Sequence, residues 1–383
     1  MRYTLKQLAL LLLVLVSTQA HAEQVGLSQE KSTKYFPEDI FHCYFEGNTS
    51  APLVISPRFE KSIDIIAWAK QNQSKIAKAI QEFGAIVFSG FNLTKDDFFT
   101  AFEAVTGLKP AGYKGDAPRK KVGENTYEST AVAKGHTIPL HQEVSIGSRD
   151  DMPQYISFFC VIPPKEGTGQ TQVGSAAKIS EEIARVMPDL WKQMTEKTLT
   201  YTARYLPEKS LRAKWIQRVN PSHATIKTLF GTEDRKEVEG RCQQEGLTYA
   251  WDGDWLVVSR KGVPATITVN GKALFCNQIH LERLNPKLCG GWLPYICAKV
   301  FVYPSKRVLQ FDVQFDDGTP ISVKDASTLL TILEKHQEGR NWKKGDLMVL
   351  DNATTLHAKT VHSGERKIQV AMAGSVKSRV LLD

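Results

Sequence analysis

Apolar and polar positions along this 383-residue chain change period several times. Ile63, Ile66, Ala69, Ile76 and Ile80 recur at helical spacing with Gly84 just beyond, which predicts one amphipathic helix from Ile63 to Phe83. Ala85-Ile86-Val87-Phe88 is a short apolar run closed by Ser89-Gly90, a buried strand. Thr94 is placed to cap a second helix through Thr106, Ser180 a third, and Pro188 can open a fourth. Further on, short strands and turns alternate. Leu347 to Leu350 is apolar throughout, Asp351-Asn352 makes a turn, and Lys367 to Met372 alternates polar with apolar as a half-buried strand does. Helices followed by many short strands predict a single α+β domain around a β-sandwich or barrel. Residues 23–57 show no clear period and read as an N-terminal extension.

The first 22 residues stand apart. Arg2 and Lys6 precede an apolar run from Leu8 to Val16, and Ala20-His21-Ala22 is an A-x-A cleavage site. This is the pattern of a secretory signal peptide, so export to the periplasm or beyond the cell is expected. No other stretch is long and apolar enough to cross a membrane, so no stable insertion is expected after cleavage. Cleavage would lower the formal charge from +8 to +6, because the leader carries two basic residues and no acidic one. No basic run with interleaved aromatics appears, so a nucleic-acid partner is not expected. Six cysteines and an exported chain allow disulfides. Cys289 and Cys297, eight apart around Gly290-Gly291, form the most plausible local pair, while Cys160 in an apolar strand reads as a packed thiol.

Candidate chemistry lies in two places. His141-Gln142-Glu143 follows Ile138-Pro139-Leu140, and on a strand His141 and Glu143 would project from one face while Gln142 turns away. Between the strand at Leu347 and the strand at Lys367 sit His357 and, nine residues later, Arg366. Two histidines and one carboxylate on one face form the facial triad of non-haem Fe(II) oxygenases, which leaves three metal positions open. A guanidinium close by suits a carboxylate, which its planar fork grips with two parallel hydrogen bonds.

The ordered motifs resemble the taurine dioxygenase-like family of Fe(II)/2-oxoglutarate-dependent oxygenases, and within it the branch of clavaminate synthase and the syringomycin-pathway hydroxylase. They run from Gly84–Phe91, through Ile138–Glu143, Gly167–Thr171, Phe230–Glu239, Phe275–His280 and Asp316–Ile321, to Trp342–Arg366. The resemblance implies a double-stranded β-helix, or jelly roll, with flanking helices and a helical insertion, occupying residues 58–383. It implies Fe(II) held by His141, Glu143 and His357, and 2-oxoglutarate bound through Arg366 with help from Thr171. O2 would fill the remaining metal position. The reaction implied is hydroxylation of an aliphatic C–H in an amino acid or peptide-like small molecule, with release of succinate and CO2. Glu143 occupies the place a halogenase leaves for chloride, which disfavours halogenation. Asn277 and His280 are candidates for substrate contact, although a structural Asn-Gln turn accounts for them equally well. The insertion from about Tyr201 to Val269 is expected to cover the pocket.

Each residue also has an ordinary structural reading. A single histidine is more often a hydrogen-bonded core residue than a ligand, Glu143 alone could be a solvated strand residue, and Arg366 could be one charge of a Glu-Arg-Lys run. His136 and His362 are not needed as ligands. A different class therefore stays open: an exported, catalytically silent jelly roll that binds a ligand or partner.

Overall fold

The computed structural model describes residues 31–46, 49–58, 63–112, 127–128, 135–219 and 223–378. The expected leader, residues 1–22, lies outside them. In chain order the strands are β1 (Phe41–Tyr44), β2 (Leu53–Pro57), β3 (Ala85–Phe88), β4 (Tyr127–Glu128), β5 (Ile138–His141), β6 (Tyr155–Ile162), β7 (Thr171–Ser175) and β8 (Thr198–Tyr205). They continue as β9 (Thr248–Asp252), β10 (Trp255–Pro264), β11 (Thr266–Val269), β12 (Lys272–Phe275), β13 (Phe311–Phe315), β14 (Leu347–Asp351), β15 (Thr355–Lys359) and β16 (Lys367–Ala373). The chain forms two compact units, one of residues 1–140, 153–175 and 337–383 and one of residues 141–152 and 176–336.

The first unit holds a seven-stranded sheet in the order β1-β2-β3-β14-β6-β16-β4, and the strands β15 and β7 of a three-stranded sheet in the order β5-β15-β7. β2 runs parallel to β3, whereas β14 is antiparallel to β3 and β6, and β15 is antiparallel to β7. Alternation along each strand divides the apolar residues between two cores. Ile86, Phe88, Phe159, Leu347 and Val349 pack against Ile76, Ile80 and Phe102 of the helices. Val87, Phe158, Met348, Leu350 and Val370 point the other way and pack with Val173 of β7. Strands buried on both faces read as unbroken apolar runs, which is why β3 and β14 are so plain in the sequence. Two sheets enclosing an apolar interior, with helices outside one of them, make the expected jelly roll of an α+β chain.

Three helical expectations change. The helix predicted over Ile63–Phe83 is two, Ile65–Gln71 and Gln73–Phe83, because Asn72 leaves helical geometry and its Nδ2 donates to the Trp68 carbonyl at 2.9 Å. Asparagine competes for backbone partners in this way, so it breaks a helix that apolar spacing alone would continue. Thr94 does not cap the next helix, which is Phe98–Thr106. The Asp97 carboxylate accepts from the Thr94 backbone N–H and hydroxyl, at 2.8 and 2.6 Å, and holds residues 94–97 in a turn. Ser180 lies inside the helix Ala176–Val186, where its hydroxyl donates to the Ala176 carbonyl and accepts from the Phe275 N–H at 2.8 Å. Pro188 does open its helix, Pro188–Glu196, and Gly84 does close one, at φ 75°.

The second unit is built on a four-stranded sheet, β13-β8-β10-β9, and the hairpin β11-β12. The insertion expected over residues 201–269 lies within it, and β13 from outside that range completes its sheet. Cys289 and Cys297 are not joined in a disulfide, so the expected local pair is not formed. Cys289 is half-buried before Gly290, whereas Cys297 is exposed at the end of the helix Trp292–Cys297. The packed reading of Cys160 matches its full burial, which pushes the thiol up to about 12. No helix among the described residues is long and apolar enough to cross a membrane.

Candidate active site

β15 is the strand on which the site is built. Its five residues are all buried, yet Thr355, His357 and Lys359 alternate with Leu356 and Ala358. His357 therefore stands within a strand, not between strands as the sequence suggested. The His357 ring lies 5.2 Å from the ring of Phe158, a residue of the jelly-roll interior, so His357 faces inward. The pairing His357↔Val173 and Lys359↔Thr171 puts Thr171 and Lys359 on the same inner face, one step along the strands.

β5 supplies the second histidine. It is the end strand of the three-stranded sheet among the described residues, a position that tolerates Pro139. The strand stops at His141, so Glu143 does not reach its place by strand alternation as expected. Val144 has φ 59°, a left-handed conformation that a β-branched residue rarely adopts, and it turns the chain just past Glu143. Gln142 is fully buried, and its Nε2 donates to the Phe275 carbonyl at 2.8 Å. Gln278 Nε2 reaches the Ser145 hydroxyl at 3.1 Å, so the Phe275–Gln278 loop holds the motif from below. The result brings His141 Nε2 to 4.0 Å from Glu143 Oε2. One donor atom each from His141, Glu143 and His357 lies within 4.8 Å of the others. Glu143 and His357 are buried and His141 is half-buried.

The donor set fits Fe(II). Two imidazoles and one carboxylate provide borderline nitrogen and hard oxygen ligands from one side, without the thiolates that favour zinc or copper(I).

Arg366, just before β16, donates from Nε to the Gly169 carbonyl at 3.0 Å and from Nη2 to the Thr171 hydroxyl at 3.5 Å. Arg366 and Thr171, proposed from distant parts of the sequence, thus meet. Burial pushes the Arg366 guanidinium down to about 10, so it keeps its charge near neutral pH. Lys359 was not singled out from the sequence. It is buried, its Nζ donates to the His136 carbonyl at 3.3 Å, and burial first and Arg366 second lower its pKa. The signal that could have found it is the i+2 spacing from His357. Gln142 was also missed, because a residue facing away from a ligand pair reads as solvent-facing when its cover comes from 133 residues later.

The two substrate candidates sit differently. Asn277 is fully buried and its amide serves its own loop: Nδ2 donates to the Ala265 carbonyl at 2.8 Å and Oδ1 accepts from the Ile279 N–H at 3.1 Å. That geometry favours the structural Asn-Gln turn. His280 is fully buried in the short helix Ile279–Glu282, 5.9 Å from the Phe275 ring. Neither belongs to the three-residue donor group.

Compared with known families, residues 51–250, more than half of the chain, match the taurine catabolism dioxygenase TauD, TfdA family. The chain belongs to this family. Its members are Fe(II)- and 2-oxoglutarate-dependent dioxygenases that consume O2, and this chain is one of them. The matched stretch contains His141, Glu143 and Thr171 but ends before His357 and Arg366. A clavaminate synthase-like protein of Arabidopsis thaliana is 24% identical over 323 residues, 84% of this chain and 89% of that one. The dapdiamide synthesis protein DdaC of Enterobacter agglomerans is 21% identical over 304 residues, 79% of this chain and 85% of that one. Among solved structures, AAD-2 in complex with Mn(II) and N-oxalylglycine is similar with a TM-score of 0.46 at 13% identity, over 88% of this chain and 98% of that one.

Proposed function

We propose that this dioxygenase hydroxylates an aliphatic C–H of an amino acid or peptide-like small molecule, with His141, Glu143 and His357 holding Fe(II). The observation that carries the metal assignment is the approach of three donor atoms to within 4.8 Å, from two segments more than 200 residues apart. Fe(II), when bound, supplies the activation of O2 with 2-oxoglutarate as co-reductant, giving succinate and CO2. Arg366 binds the far carboxylate of 2-oxoglutarate through its fork, with the Thr171 hydroxyl as a second donor. Lys359 adds positive charge on the same inner face. The phenyl ring of Phe158 stands 5.2 Å from the His357 ring and gives the imidazole an apolar neighbour on that face. The dapdiamide synthesis protein among the relatives supports a small-molecule substrate of this class. The leader-like first 22 residues support action after export. A silent jelly roll has no physical need for a complete donor set together with a half-buried arginine.

The test is anaerobic addition of Fe(II) and 2-oxoglutarate to the purified chain, watching for the weak visible charge-transfer band of a chelated keto acid. Absence of the band in a chain that binds Fe(II) would refute the cosubstrate assignment. Retention of 2-oxoglutarate turnover in His141→Ala, Glu143→Ala and His357→Ala would refute the metal assignment.

A further inference from the structure

Twelve large apolar side chains are exposed among the described residues, and eight of them fall in just two short segments of the second unit. Leu211 and Trp215 lie on the helix Leu211–Val219. Leu288, Trp292, Leu293, Ile296, Val300 and Phe301 lie on or beside the helix Trp292–Cys297 and the π-helical turn Ala298–Val302 that continues it. Trp292, Leu293 and Phe301 are 68%, 73% and 66% exposed, values of residues standing clear of the surface. The segments are neighbours. Arg212 Nη2 donates to the Val302 carbonyl at 2.9 Å, and Ile216 packs in one cluster with Val302, Tyr303 and Leu309. The patch is therefore held from beneath while its outer face is apolar and aromatic.

Charge decides what covers it. From Lys209 to Thr232 there are five basic residues and no acidic one, and from Arg283 to Phe311 again five and none. Arg283, Arg307, Lys287 and Lys227 are spent on Asp312, Asp252, Glu334 and Glu208. Lys209, Lys214, Arg218 and Lys306 are exposed and Lys299 half-exposed, and none of them is in an ion pair among the described residues. An apolar, Trp- and Phe-bearing helical face whose own segments carry exposed cations and no carboxylate is the pattern that lies on an anionic lipid surface, rings in the acyl boundary and cations at the headgroups. A second copy of the chain fits less well, because a two-fold contact sets each patch against itself and brings like charges together.

We propose that this face of the second unit docks peripherally on an anionic lipid bilayer. The chain then works at a membrane surface without crossing it, in keeping with the lack of a spanning helix among the described residues.

Vesicle flotation tests this, with phosphatidylcholine vesicles prepared with and without phosphatidylglycerol. Parent and variants are all prepared from Glu23 onward, so the apolar run at Leu8–Val16 contributes to none of them. The parent should float with the anionic vesicles and release as salt rises. A Trp292→Ser, Leu293→Ser, Phe301→Ser variant should lose about tenfold or more in partitioning while keeping its melting temperature, since these residues support no core. Lys214→Gln, Lys299→Gln and Lys306→Gln together should lose about 100-fold, at roughly fivefold per charge near an anionic surface. Equal flotation of parent and apolar variant would overturn the proposal. So would flotation indifferent to phosphatidylglycerol, or a parent that ignores vesicles but forms a dimer that the apolar variant abolishes.

Discussion

β14 and β15 are both five residues long, neighbours in sequence, and buried along their whole length. In β14, Leu-Met-Val-Leu-Asp, the burial of the first four residues follows from the hydrophobic effect, and the buried Asp351 carboxylate closes the strand by accepting from the Ala353 N–H at 2.9 Å. β15 is Thr-Leu-His-Ala-Lys, and three of its five side chains are polar. Burying such groups without partners costs free energy, so a strand of this composition persists where the surroundings give those groups work. On the proposed function the first strand is scaffold and the second carries a metal-site histidine, and burial alone does not separate them.

Substitution separates them most sharply at the metal. His357→Ala should lower Fe(II) affinity by more than about 100-fold, beyond the loss expected of a merely supporting partner, and leave the melting curve little changed. Met348→Ala on β14 should do the reverse. It should cost about 2–5 kcal/mol of stability by cavity formation and leave Fe(II) affinity unchanged below the melting transition. Denaturant unfolding and anaerobic Fe(II) titration on both variants check the pair, and matching losses in both would erase the distinction.

The next effect is on the cosubstrate. Arg366→Ala should weaken 2-oxoglutarate by about 30-fold or more, because a charge-assisted bidentate pair contributes about 2–5 kcal/mol when one member is truncated. Arg366→Lys should recover part of this, since an ammonium cannot form the fork. Titration of 2-oxoglutarate into the Fe(II)-loaded variants gives the comparison. Lys359→Met should weaken 2-oxoglutarate by a smaller step, about three- to tenfold, as expected of a second cation without the fork geometry. An unchanged affinity would mean that Lys359 is only packed there. Smallest of all is Lys367→Ala, which should shift neither affinity nor melting temperature by a measurable amount, because alternation turns it away from its neighbour Arg366.

The same contrast explains what the sequence could reveal. β3, β14 and β16 were legible, since two-sided or alternating burial leaves a direct mark on the apolar pattern. β15 was not, because Thr355, His357 and Lys359 imitate the polarity of a turn. The helix break at Asn72 and the turn at Thr94–Asp97 depend on side chain-to-backbone hydrogen bonds that no apolar period encodes. His141, Glu143, His357 and Arg366 are candidates from their placement near predicted strands and, with Thr171, from the ordered motifs; the structure brings the three donors within 4.8 Å of one another and Arg366 against Thr171. Glu143 does not reach its neighbours by strand alternation, since β5 already ends at His141 and Val144 turns the chain just past Glu143. The apolar face around Trp292 was hidden for another reason: its segments, residues 211–215 and 288–301, are far apart in sequence and adjoin only after folding.

Pro139 carries a consequence for how the protein behaves at high concentration. It lies in β5, an outermost strand of its sheet among the described residues, two residues before His141 on the same strand. An outermost strand offers unpaired amides to any extended polypeptide nearby and so invites stacking of molecules edge to edge. Proline has no amide hydrogen to offer, which leaves a gap in that row of donors. The border of the sheet that bears the first histidine is thereby a poor template for aggregation. Pro139→Val would restore the missing donor, and the protein should then cloud sooner on concentration or gentle heating.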